Sequence, residues 1–160
     1  MLFDSLIVLS RLHPRSSPSR ASAPAVPALG FAADVAPGSA YTEDTFRHFL
    51  EVERRRVERS KRSSLLLLVS LRGVPGGTGR LSRTVSRAMF RALEQCVREV
   101  DFFGWYREGR VAAAVLPQST SLASPETRVQ VAARARAELS AQLPASVAER
   151  LRVRVVCLRK

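Results

Sequence analysis

At 160 residues, with 46 % hydrophobic and 25 % charged side chains, the chain suits one compact domain with room for a tail. No run approaches the ~20 apolar residues that span a bilayer, and two cysteines with two distant histidines give no zinc-binding spacing. The net charge of +12, nearly all arginine, suits phosphates, nucleic acid or anionic lipid as partners, or reflects arginine-rich codon usage alone.

The opening MLFDSLIVL is apolar but lacks a basic leader and contains Asp4. It makes a poor export signal, so the cytoplasm is the expected compartment. Residues 13–40 are rich in Pro, Ser, Ala and Gly, a composition that cannot bury enough surface to offset chain entropy. A disordered tail over 1–40 is expected, with Phe31 free to dock on the domain. Three arginines against two aspartates in this segment leave +11 on the remainder.

Thr42 is a good N-cap, followed by Glu43 and Asp44. Phe46, Phe49, Leu50 and Val57 fall at helical spacing with Val52 beside them, predicting a helix to about Ser60. Glu51–Arg55 and Glu58–Arg62 are four-apart pairs, and Arg54–Arg56 reads as a solvated face. SSLLLLVSL, 63–71, is an unalternating apolar run, as in a central strand buried on both faces. The following Gly73, Gly76, Gly77 and Gly79 make a loop that lacks the Lys-Ser/Thr of a phosphate-binding P-loop.

A second helix is predicted over Arg80–Val100, its apolar stripe running from Leu81 through Val85, Met89, Leu93 and Cys96 to Val100. Next, FFGWY and VAAAVLP flank the short polar turn at Arg107–Arg110, a β-hairpin whose second run is continuous and therefore central in a sheet. Ser124 caps a third helix, with Pro125 at its first position, Val129, Ala132, Ala133, Ala137 and Leu139–Leu143 on its stripe, and Pro144 at its end. LRVRVVCL, 151–158, alternates as a strand with one wet face. Cys96 and Cys157 sit in apolar patterns and read as small buried thiols.

The order helix, strand, helix, hairpin, helix, strand is an α/β layer arrangement. It resembles the GGDEF domains, which are diguanylate cyclases. Arg98-Glu99-Val100-Asp101 stands where the family has Arg-x-x-Asp; five residues then lead to Arg107-Glu108-Gly109-Arg110-Val111 at the GGDEF turn, and Leu116-Pro117 closes the second strand. The resemblance spans about 41–160 and implies a nucleotide-cyclase-like (GGDEF/palm) mixed sheet flanked by helices. It also implies a closing helix and strand, which the end of the chain after LRVRVVCLRK would truncate.

The resemblance carries the frame without the chemistry. The family's turn glycines admit the nucleotide and its acids hold metal; here Glu108 is the only acid of the five. The family's two Asp residues at the end of the first strand match Val69, Ser70 and Leu71, and its lysine and asparagine just beyond match Val74 and a glycine. Phosphoryl transfer needs metal at the bridging oxygens, so no catalytic residue, metal or cofactor is expected. The one matching functional element is Arg98 and Asp101, which in the family is the inhibitory site for cyclic di-GMP. The plain alternative is a helix end and a turn residue. Trp105 and Tyr106 cover a core edge or, in a sharper reading, stack a base. The expected protein is thus a non-catalytic regulatory or protein-interaction module with a protein partner and cyclic di-GMP as candidate ligands. A basic nucleic-acid-binding domain is the alternative, and it requires the arginines of the first two helices to converge on one face.

Overall fold

The computed structural model describes residues 40–60, 62–73, 80–118 and 124–158. The expected tail, apart from Ala40, and most of the glycine-rich loop lie outside them. The elements are α1 (Glu43–Arg59), β1 (Ser64–Leu71), α2 (Arg83–Cys96), β2 (Phe102–Arg107), β3 (Val111–Pro117), α3 (Pro125–Gln142), α4 (Ala145–Ala148) and β4 (Leu151–Leu158). The strands form one sheet in the order β2-β3-β1-β4. All three pairings are antiparallel, with Leu67 opposite Ala114 on one side and Val155 on the other. Tyr41 adds the one parallel contact among them, an isolated bridge to Gly104, so the sheet is mixed only at that edge. From β1 onward this is the β-α-β-β-α-β arrangement, with α4 a short addition that the sequence did not suggest.

β1 and β3 are central, as their unalternating apolar runs predict, and both of their faces are covered. On one face Leu65, Leu67, Val69, Ala112 and Ala114 join Phe103 and Trp105 under Met89, Phe90 and Leu93 of α2 and Leu139 of α3. On the other, Leu66, Ala113 and Val115 meet Phe46 and Leu50 of α1. Each large side chain so buried contributes about 1.5–3 kcal/mol. Phe90, which the predicted stripe omitted, is held edge-to-face against Trp105 with ring centroids 4.8 Å apart.

Several boundaries and registers differ from the sequence reading, each for a local reason. The Thr42 hydroxyl contacts the Thr45 hydroxyl at 3.1 Å and caps no backbone N–H. Glu51–Arg55 forms, at 3.1 Å, but α1 ends at Arg59, so Arg62 is not one helical turn on from Glu58. α2 starts later because Ser82 accepts from the Val85 N–H, and it stops at Cys96 rather than Val100, which is 69 % exposed. In α3 the expected Leu139 and Leu143 are buried, in one row with Ala135, whereas the expected Val129 is 68 % exposed. A helix so rich in alanine has little pattern of its own, and two leucines four apart decide which side faces in. Cys96 and Cys157 are half-buried free thiols.

Two substitutions test this packing. A Cβ on Gly104 would fall on the Tyr41 carbonyl oxygen and 2.9 Å from the Tyr41 nitrogen, both backbone atoms of the bridging segment. Gly104→Ala is expected to lower the unfolding free energy by about 1–3 kcal/mol in urea titration, and an unchanged midpoint would refute the close approach. The Asp101 carboxylate accepts the Arg98 backbone N–H at 2.7 Å and is almost wholly buried, whereas the Arg98 side chain is 59 % exposed. Asp101→Ala should therefore cost about 1–3 kcal/mol and Arg98→Ala less than about 1 kcal/mol; the reverse order would contradict this account of the turn.

Candidate functional site

The two regions singled out by sequence lie at opposite ends of β2. At the far end is the hairpin turn, Glu108–Arg110. Gly109 has φ of +68°, and the space a Cβ would take is filled by the Arg80 guanidinium, whose Nε would lie 2.8 Å away. Its carbonyl accepts from Leu81 N at 2.6 Å, so the start of α2 is tied to the turn. Glu108, the turn's one acid, faces Arg80 at 3.6 Å, and its own backbone N–H donates to Glu43 at 2.6 Å. Alongside, Val69 pairs with Ala112 and Leu71 with Leu151, which brings the end of β1 to the turn. No carboxylate comes with it. Arg150 caps that end by donating to the carbonyls of Arg72, at 2.9–3.0 Å, and of Gly73. Among the described residues no three of His, Cys, Asp and Glu come together to hold a metal.

Trp105 and Tyr106 do not form one platform. Successive strand residues point to opposite faces, so Trp105, 2 % exposed, enters the core under α2, while Tyr106 packs beside the α1 cluster. A register shift between Trp105 and Arg107 places Tyr106 at a bulge beside the turn.

Arg98 and Asp101 do come together, at the near end, and they are bound to each other. The Arg98 guanidinium donates to Asp101 through Nε at 3.3 Å and through a terminal nitrogen at 3.1 Å, and that nitrogen also reaches the Pro117 carbonyl at 2.9 Å. The pair closes the turn between α2 and β2 and braces it on the end of β3. Beside it is a cavity of about 230 Å³ with an apolar floor that includes Leu67 and Leu116 and with Arg98, Gln118 and Arg134 at its sides. Cys96 also lines it. Burial pushes this thiol up, Glu138 adds to the shift and Arg134 opposes it, so it stays protonated at neutral pH. Sequence reading missed this cavity because its walls come from five separate elements and segments.

It also missed Glu53, which is buried on α1 and accepts a hydrogen bond from the Ser64 hydroxyl of β1. The signal was available: Phe46, Leu50, Glu53 and Val57 follow one another at four, three and four residues, the inner stripe of α1.

The arginines of α1 and α2 do not converge. Each helix covers a different face of the sheet, so their charged sides point away from each other across it.

No family model matches the sequence, and no curated protein does. The fold has clear counterparts among solved structures. The FimX GGDEF domain from Pseudomonas aeruginosa shares 14 % identity at a TM-score of 0.56, over 75 % of this chain and 76 % of that one. The GGDEF domain of DgcB from Caulobacter crescentus, solved in complex with c-di-GMP, shares 13 % at 0.53, over 74 % and 71 %. Diguanylate cyclase SiaD, solved with its activator SiaC from Pseudomonas aeruginosa, shares 20 % at 0.50, over 74 % of this chain and 45 % of that one. With the strand order, the hairpin and the helices on both faces described above, these likenesses establish the fold: the chain is GGDEF-like.

Proposed function

We propose that the chain is a non-catalytic GGDEF-like module that acts through a protein partner and reads cyclic di-GMP at Arg98 and Asp101. The observation that carries the non-catalytic reading is the composition of the hairpin end. Phosphoryl transfer in a metal-dependent cyclase needs carboxylates converging from the turn and from the end of β1. Here the turn is Arg107-Glu108-Gly109-Arg110-Val111, its one acid faces Arg80, and β1 ends in Val69, Ser70 and Leu71. The Arg80 guanidinium fills the space over Gly109.

Three observations support the ligand and partner. Arg98 presents an exposed guanidinium next to a cavity, suited to a phosphate or a guanine edge, and DgcB, a fold counterpart, was solved with c-di-GMP. SiaD, another, was solved with an activator protein. Asp101 is the weaker half of the site, because its carboxylate is turned inward onto the Arg98 backbone. A ligand held here takes the outer edge of Arg98 and leaves Asp101 as the group that aims it.

Two assays test the reading. Incubation with GTP and Mg²⁺ is expected to yield no cyclic dinucleotide above background, at least about a thousandfold below an active cyclase run in parallel, the scale of losing even one electrostatic stabiliser. Product above background overturns the non-catalytic reading. In calorimetry with cyclic di-GMP, the wild type should give a saturable heat that Arg98→Ala abolishes. Equal heats from the two proteins would remove the ligand from the proposal and leave the interaction module.

A further inference from the structure

The arginines of α1 and α2 differ in how they are neutralised. On α1 three of the five arginines are paired, Arg47 with Glu43 at 2.7 Å, Arg55 with Glu51 at 3.1 Å and Arg56 with Glu53 at 3.8 Å, leaving Arg54 and Arg59. On α2, Arg83, Arg87 and Arg91 are all exposed, and none has an ion pair or hydrogen bond with another described residue. They stand four residues apart, so their side chains follow one row with a step of about 6 Å. Like charges at this spacing weaken a helix. Arg83 is also the first helical residue, in a first turn with no acid, where the helix dipole disfavours a cation. The helix thus keeps three arginines in one row at a cost in its own stability, its one acid being Glu94 near the C-terminal end.

Beside this row runs a second one of small residues, Thr84 and Ala88, and the two rows line an open groove of about 250 Å³. A ridge of long cationic side chains next to a shallow small-residue channel accepts the ridge of another helix. We propose that this face of α2 docks an acidic helix of a protein partner that carries carboxylates at four-residue spacing, whose step equals that of the arginines. Each arginine then meets one carboxylate, with a planar fork suited to it.

Charge alone would also suit phosphates, but the surroundings favour a helix. A single nucleic-acid strand is held by aromatic platforms as well as by cations. Trp105, on the sheet face beneath α2, is buried, and the exposed Phe49 belongs to α1 on the opposite face. A duplex needs a broad basic surface; the α1 arginines are turned away from this one, and the neighbouring α3 mixes Arg128, Arg134 and Arg136 with Glu126 and Glu138.

The proposal rests on the interaction-module reading and names its partner's chemistry. It is tested by fluorescence anisotropy on the full chain with a labelled helical peptide bearing Glu at i, i+4 and i+8. The controls are a peptide of identical composition with the Glu spacing scrambled and a labelled single-stranded oligonucleotide. The matched peptide should bind, weaken as salt is raised, and lose about tenfold or more in affinity in Arg83→Gln/Arg87→Gln/Arg91→Gln. That variant should melt no lower than wild type, since it removes repulsion from an exposed face, and this separates lost docking from lost fold. Equal binding of matched and scrambled peptides overturns the proposal. So does an oligonucleotide that binds more tightly than the matched peptide, and so does a triple variant that binds the peptide like wild type. Cyclase activity in the GTP assay would remove the non-catalytic reading while leaving this result to stand or fall separately.

Discussion

β1 and β3 carry apolar side chains on both faces, and they are joined to each other through six paired positions from Ser64–Pro117 to Val69–Ala112. A strand pair of that kind cannot leave either face in water, so helices must cover both. The three consecutive alanines of β3 keep the sheet surface low. The bulky partners are then supplied by the helices, Phe46 and Leu50 from one side and Met89, Phe90 and Leu93 from the other. Apart from Glu53, charged side chains are consequently pushed to the outer sides of the helices, to the one wet face of β4, and to the two ends of the sheet.

Both ends of the sheet are occupied by arginines. At the hairpin end, Arg80 and Arg150 hold the turn and the end of β1 through backbone carbonyls, a glycine contact and one ion pair. At the other end, Arg98 holds Asp101 and Pro117. Guanidinium groups are serving as braces between segments at both ends, a task for which five fixed donors in a plane suit them. The same property lets the exposed part of such a group take an anion from outside, so a structural brace and a ligand contact are compatible roles for Arg98.

Two further buried polar features show how narrow the tolerances are. Glu53 lies inside the apolar stripe of α1 and is tolerated because the Ser64 hydroxyl donates to it and Arg56 stands near. Gly104 is the point where Tyr41 crosses β2 closely enough to exchange hydrogen bonds with Phe103 and Trp105, at 3.0 Å each. That crossing anchors the chain immediately before α1 and so sets where α1 lies on its face of the sheet.

Most of the fold was legible in the residues alone, and the reason is periodicity. Unalternating runs at 63–71 and 111–117, a glycine-containing turn between two β-prone runs, and Ser-Pro at a helix start each name an element without reference to any other. The position of the hairpin turn was equally legible, since Gly109 stands between the two β-prone runs. What the chain order could not contain was orientation. In α3, Leu139 and Leu143 gave the inward side at the C-terminal end, but alanine gives no direction, and only contact with the sheet picks out Ala135 and leaves Val129 in water. The separation of Trp105 from Tyr106, the mutual capture of Arg98 and Asp101, and the placement of two arginine-rich helices on opposite faces are three-dimensional relations between segments. A sequence lists which side chains a protein has; which of them face each other, and which are left to face a partner, was settled when the sheet closed between its helices.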